Sequence, residues 1–439
     1  MALDRFLIGA GLGLLALFAV PVMIPDYPRA VVPFLGVYGA ASVVWLAAVW
    51  RVMRADHIGP RTLTLVVVFA LLFRGVVLPQ ASILDDDLYR YVWDGRMTWH
   101  GVNPYRSAPN DDALSGYRDP LIYPHINFPY VPSIYPPLTQ LVFASVVGLF
   151  GETLIAMKLA WTVFDVLLIA AAIALLRAVN LNPARVIVYA WAPLAVKEVA
   201  GSGHMDAFPV LLTLLAVLWA ARRPVVSSIA LGAAIAAKLY PILLVPVFLR
   251  QLRGRSLLIP TVVLIACAPF ASVPANQMLQ GLRIYGEYWM FNPGVFDLLQ
   301  RTLSLITTHG VLTAKVLAAA TVIAIALWRV GHGADSVRDL AASVVWILGC
   351  TLLLAPTADP WYLLWVLPFL CVHPNPGLLA WTGLAVLSYG YYHAGTDIAW
   401  LRLIEYAPVL ILLGWSWLRS RWSRGAIPGQ AVWTARTSP

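Results

Sequence analysis

Residues 134–152 read IYPPLTQLVFASVVGLFGE, and the topology of everything that follows depends on whether this stretch crosses a membrane. It is apolar, but only about thirteen residues separate the Pro136–Pro137 pair from Gly151, against the ~20 that a spanning helix needs. Read as an interfacial helix it returns the chain to the side it came from, whereas as a span it inverts every later loop. Charge decides between the two. With the interfacial reading and a cytoplasmic amino terminus, almost every short basic cluster falls on the cytoplasmic side: Arg51, Arg54 and Arg61; Arg177 and Arg185; Arg222 and Arg223; Arg250, Arg253 and Arg255; Arg329 and Arg338; Arg419, Arg421 and Arg424.

The composition agrees with a membrane protein. Of 439 residues 60% are hydrophobic and only 12% charged, where a soluble domain carries roughly a quarter charged. The net charge of +9 sits in scattered turns and forms no single basic stripe, which excludes a nucleic-acid surface and leaves topology signals. Cys267, Cys350 and Cys371 have no metal-ligand spacing and read as small core side chains. The first 24 residues read as a first span and not as a cleaved leader.

Apolar windows predict long spans near 5–24, 31–50, 62–79, 153–176, 311–329, 338–355, 377–394 and 403–419. Shorter ones fall near 186–199, 207–221, 225–238, 240–250, 256–271 and 360–372, several of them short enough to be broken helices lining a cavity. The expected fold is an all-α polytopic membrane protein of about 12–14 spans, one membrane domain over residues 1–439. Two long outward loops, 80–137 and 272–310, interrupt it, with interfacial helices in them.

The loop 80–137 opens with DDDLYRYVWDGRMTWHGVNPY, residues 85–105. One aspartate suffices to cap a helix; three adjacent ones repel, raising the pKa of at least one, which suits a general base or a cation site. The aromatic residues Tyr89 and Trp93, interleaved with Arg90, Asp94 and Arg96, offer ring faces and polar edges to a sugar. In KEVAGSGHMDAF, Lys197, Glu198, His204 and Asp206 stand between two short spans, where ionisable groups point to function. Lys238, one of four lysines, precedes a Pro241 break and suits a phosphate, as does Arg283 in the second loop. Asp359, Trp361 and Tyr362 close another helix end, and Asp165 inside a span, two helical turns beyond Lys158, reads as half of a buried structural pair with it.

In order, DDDLYRYVWDGRMTWHGVNPY, IYPPLTQLVF, VAGSGHMDAF, AAKLYPILLVP and DPWYLLWVLP resemble the bacterial GT-C glycosyltransferases, polytopic enzymes that use polyprenyl-phosphate sugars. The resemblance spans about residues 80–372. It implies a GT-C-like helix bundle in a bacterial cytoplasmic membrane, both termini inside, with the active site on the periplasmic or outer face. It also implies inverting transfer of a hexose, mannose or glucose, from a polyprenyl-phosphate donor to a hydroxyl of a glycan or glycolipid acceptor. The family's acidic pair falls on Asp86 and Asp87, with Asp86 as base; its second acidic motif falls on His204 and Asp206, and its lysine on Lys238. No cofactor is implied; a divalent cation is possible without being required. The rival reading is a transporter or flippase of a lipid-linked sugar, which also needs broken helices and charges at membrane depth.

Overall fold

The computed structural model describes residues 2–23, 30–55, 57–82, 84–332, 335–396 and 398–425, the side chains of 22–23 and 420–425 excepted. Ile83 and the side chains of Arg421 and Arg424 therefore lie outside the described residues. Among those described there is no strand, only an isolated bridge between Phe291 and Thr357. The chain is an all-α polytopic membrane protein, with seven helices among the described residues long and apolar enough to span.

The first three helices, α1 (Ala2–Ala19), α2 (Val31–Met53) and α3 (Pro60–Val77), pack together, α1 against both others. After them α4 (Asp87–Trp99) lies along α5 (Pro137–Phe150), the apolar stretch that opened the sequence reading. Gly95 makes this possible: a Cβ there would stand 2.7 Å from the carbonyl oxygen of Phe143. Pro137 occupies the first turn of α5, where its missing N–H costs nothing, and Gly151 ends the helix at φ +87. Fourteen residues make α5 too short to cross a bilayer.

Next comes α6 (Leu154–Ala178), capped by the Thr153 hydroxyl, and it packs on α7 (Ala207–Trp219). The expected span 186–199 is broken into single turns and ends in a π-helical turn at Val196–Gly201. A helix α8 (Pro224–Ala237) follows. The segments expected at 240–250 and 256–271 join into one membrane-length element, Tyr240–Phe270, which contains α9 (Val245–Leu252) and α10 (Leu258–Cys267). The loop 272–310 holds α11 (Gln280–Tyr288) and α12 (Gly294–Ser304). Then come α13 (Gly310–His332), α14 (Val337–Leu353, opened by a Ser336–Asp339 capping box), α15 (Pro376–Leu384) and α16 (Ala399–Gly425).

The spanning helices turn large apolar side chains outward, Leu12, Val43, Leu72, Leu159 and Ile411 among them, as lipid-facing surfaces do. Inside, Asp165 on α6 is paired as expected, but its partner is Arg74 of α3 at 2.6 Å. Lys158, on the same helix as Asp165, instead donates to the Gln80 carbonyl at 2.6 Å. Arg74 also reaches the Ala190 carbonyl at 2.8 Å, so one guanidinium ties α3 to the broken segment. None of the three cysteines is in a disulfide.

Candidate active site

The start of α4 divides its aspartates by task. Asp85 caps the helix: its Oδ1 accepts from the Asp87 backbone N–H at 2.8 Å. With Oδ2 it meets His204 Nε2 at 2.7 Å. Asp87 lies 4.0 Å from His204 Nδ1 and accepts a hydrogen bond from the Asn127 amide at 2.8 Å. Asp86, between them, is the exposed member. All three face a cavity of about 1740 Å³, larger than the ~300–1,000 Å³ usual for a small-molecule site.

His204 reaches this cluster because Gly203 holds φ +82, and a Cβ on Gly203 would come within 2.8 Å of Leu88 Cδ1 in the first turn of α4. The imidazole stacks on Trp361 at 4.0 Å between centroids, and its Nε2 is also 3.5 Å from Glu198. Burial alone would lower its pKa, but the charges of Asp85, Glu198 and Asp87 outweigh burial and raise it to about 9. For Asp85, burial is opposed by His204 and Lys197, and the net shift is downward. Asp87 goes the other way: burial, then repulsion from Asp85, lifts it to about 6 against the pull of His204. Asp359, also on the cavity wall, is raised to about 8 by burial and then by Asp87.

Lys238, at the end of α8, lines the same cavity as these carboxylates. Its Nζ is held by Asp206 at 2.6 Å and lies 4.9 Å from the Tyr362 ring centroid. The Trp365 indole N–H donates to the same Asp206 oxygen at 2.6 Å. Beside Lys238, Leu239 and Ile242 line the wall and are largely exposed. A second wall is aromatic: Tyr362 shares a hydroxyl contact of 2.7 Å with Tyr285, and Trp289 packs between Tyr285 and Phe128.

The fold brings Asp86, Asp87, Tyr89, Arg90, Lys238, Trp361 and Tyr362 to the cavity, with His204 and Asp206 immediately behind. It does not bring Trp93, Asp94, Arg96 or Arg283 there. Asp94 is buried in an ion pair with Arg90 at 2.8 Å and accepts from Ser133 and Gln140. Arg90 in turn donates to the Val131 carbonyl at 3.0 Å. Arg96 pairs with Asp119 at 2.6 Å and Glu152 at 2.9 Å, and Trp93 packs on Tyr123. These groups fasten the loop 80–137 to α4 and α5, because the later turns of α4 are covered on every side. Arg283 is exposed on α11, outside the cavity. Asn127, Tyr285, Trp289 and Trp365 were missed in the sequence; only the density of aromatics after Arg283 and around Asp359 hints at three of them.

The donor atoms of Asp85, Asp87 and His204 lie within 4.8 Å of one another. Those atoms are close enough to share a cation, which the imidazole could ligate only after giving up its proton.

No curated protein and no solved structure matches this chain. A family profile does, over residues 16–253, more than half the chain: that of the alpha-(1->6)-mannopyranosyltransferase N-terminal domain. The matched segment contains α4, His204, Asp206 and Lys238. The chain belongs to the alpha-(1->6)-mannopyranosyltransferase family and is a membrane-embedded mannosyltransferase.

Proposed function

We propose that the protein transfers a mannosyl residue, with inversion, from a polyprenyl-phosphate carrier to an acceptor hydroxyl at the outer face of a bacterial cytoplasmic membrane, as one membrane domain. The observation that carries this reading is a carboxylate tuned to about 6, Asp87, facing the same cavity as the Lys238 ammonium. The acceptor hydroxyl gives its proton to Asp87 as its oxygen attacks the anomeric carbon, and the bond from that carbon to the phosphate oxygen breaks. Lys238 stabilises the departing lipid phosphate, held in place by Asp206. The sequence reading ranked Asp86 first as base; the reading offered here puts Asp87 there, because it is the more enclosed carboxylate and Asn127 fixes its orientation. Asp86, more exposed on the same wall, orients the acceptor.

The exposed Leu239 and Ile242 beside Lys238 suit the first isoprene units, each buried methylene contributing ~0.8 kcal/mol. Aromatic faces such as Trp361 and Tyr362 suit the sugar. A metal has no part in this scheme, the His204 proton supplying positive charge beside the carboxylates. The transporter alternative gives way to the family match, which is to a transferase. The test is incubation of purified protein with polyprenyl-phosphate mannose and a mannoside acceptor in the presence of a chelator. Release of lipid phosphate with an enlarged acceptor is the expected result; transfer only from a nucleotide sugar, or only with added metal, would overturn the reading.

A further inference from the structure

Against the imidazole, but outside the cavity lining, lies a buried acidic group that the reaction as described does not use. Glu198 is fully buried, and its carboxylate takes three contacts: the Tyr389 hydroxyl at 2.8 Å, Lys197 Nζ at 3.0 Å and His204 Nε2 at 3.5 Å. Lys197 also donates to the Tyr389 hydroxyl at 3.0 Å, so the three close into a ring. The backbone joins in, the His204 N–H donating to the Glu198 carbonyl at 2.9 Å. Glu198 stands in a π-helical turn, residues 196–201, a wide turn frequent at functional sites.

We propose that Glu198 is a positioning residue of the transferase: held by Lys197 and Tyr389, it shares His204 Nε2 with Asp85 and holds that edge of the ring towards the two carboxylates, which keeps Asp85 in its ion pair and leaves Asp87 as the proton acceptor. The ring face is fixed by Trp361, so Glu198 governs its in-plane orientation and its charge. The charged groups around the imidazole are Asp85 and Asp87 from the start of α4, Glu198 and Lys197 from the π-helical turn, and Asp359 ahead of Trp361. Asp206 and Lys238 face each other instead. Glu198 does not line the cavity, so its charge reaches the site through its contacts with His204 and Lys197. The Glu198→Gln change keeps the shape and removes that charge, weakening the hold on the imidazole proton.

This inference rests on the proposed reaction for one of its two readouts. The first is turnover against pH for wild type, Glu198→Gln and Glu198→Asp in the same detergent. Glu198→Gln moves the alkaline limb towards lower pH by about one unit, with the KM for donor little changed, and Glu198→Asp leaves the limb in place. The second readout needs no turnover: NMR of protein labelled at histidine follows the His204 titration, assigned by its loss in His204→Gln, and shows the same shift. If Glu198→Gln does not fold, the double variant Lys197→Met/Glu198→Gln removes both buried charges and shows a smaller shift in the same direction. A folded variant lacking Glu198 whose His204 titration and alkaline limb stay at the wild-type position overturns the proposal, as does a Glu198→Asp shift equal to that of Glu198→Gln. A shifted His204 titration in protein that transfers no mannose supports the role of Glu198 and refutes the proposed donor.

Discussion

The two ends of α4 carry similar numbers of charges and use them in opposite ways. Towards its carboxyl end, Arg90 meets Asp94, and Arg96 meets Asp119 and Glu152; each cation is matched by carboxylate at contact distance, and Asp94 accepts from Ser133 and Gln140 as well. At its amino end Asp85 and Asp87 gather about one imidazole, with Asp86 beside them on the open wall of a cavity. Charge in which every cation has a carboxylate at contact distance makes structure. An excess of one sign beside a cavity makes a titrating group, here a carboxylate whose pKa is displaced towards neutrality.

That contrast can be broken at either end. The largest effect is expected at the amino end: Asp87→Asn should lower turnover by about 10²–10⁴-fold, the range of general base catalysis, while thermal unfolding stays near wild type. At the other end Asp94→Ala leaves Arg90 buried without its carboxylate and should cost about 3–5 kcal/mol, read as a lost or strongly lowered unfolding midpoint. Lys238→Met should weaken donor use by about tenfold or more, through loss of a charge-assisted contact to phosphate, with acceptor KM unaffected. Stability should follow His204 in a defined window. Its folded-state pKa is raised from 6.5 to about 9, so the ion pair contributes fully below about 6.5 and its contribution is lost as pH rises through about 9. His204→Gln should flatten that dependence in melting curves. The smallest effect is expected for Arg283→Ala, an exposed position off the cavity, whose rate should stay within about twofold of wild type.

Much of this was legible in the chain because the informative residues are neighbours in sequence. The DDD run and the Lys238 before a proline break could be picked out with no knowledge of packing, and the short apolar stretch 134–152 was correctly too short to span. Misgrouping began where adjacency hides direction. YRYVWDGR looked like one aromatic and ionic patch, yet only its first residues reach the cavity, since α5 and the loop 80–137 cover the later turns of α4. Asn127 had no signal of its own, and Tyr285 and Trp289 only the aromatic density after Arg283; they are brought to Asp87 or Tyr362 from tens of residues away. Glu198 was visible as an ionisable residue at membrane depth, but it meets His204 from a π-helical turn that no periodicity announces.

The most direct test of the account is the acid limb of kcat/KM against pH, measured with polyprenyl-phosphate mannose for wild type, Asp86→Asn and Asp87→Asn. The prediction is a wild-type rate that rises through pH about 6 as Asp87 loses its proton, a limb kept at the same pH in Asp86→Asn, and one abolished with the activity in Asp87→Asn. An Asp87→Asn protein that retains both rate and limb, while Asp86→Asn loses them, would contradict it.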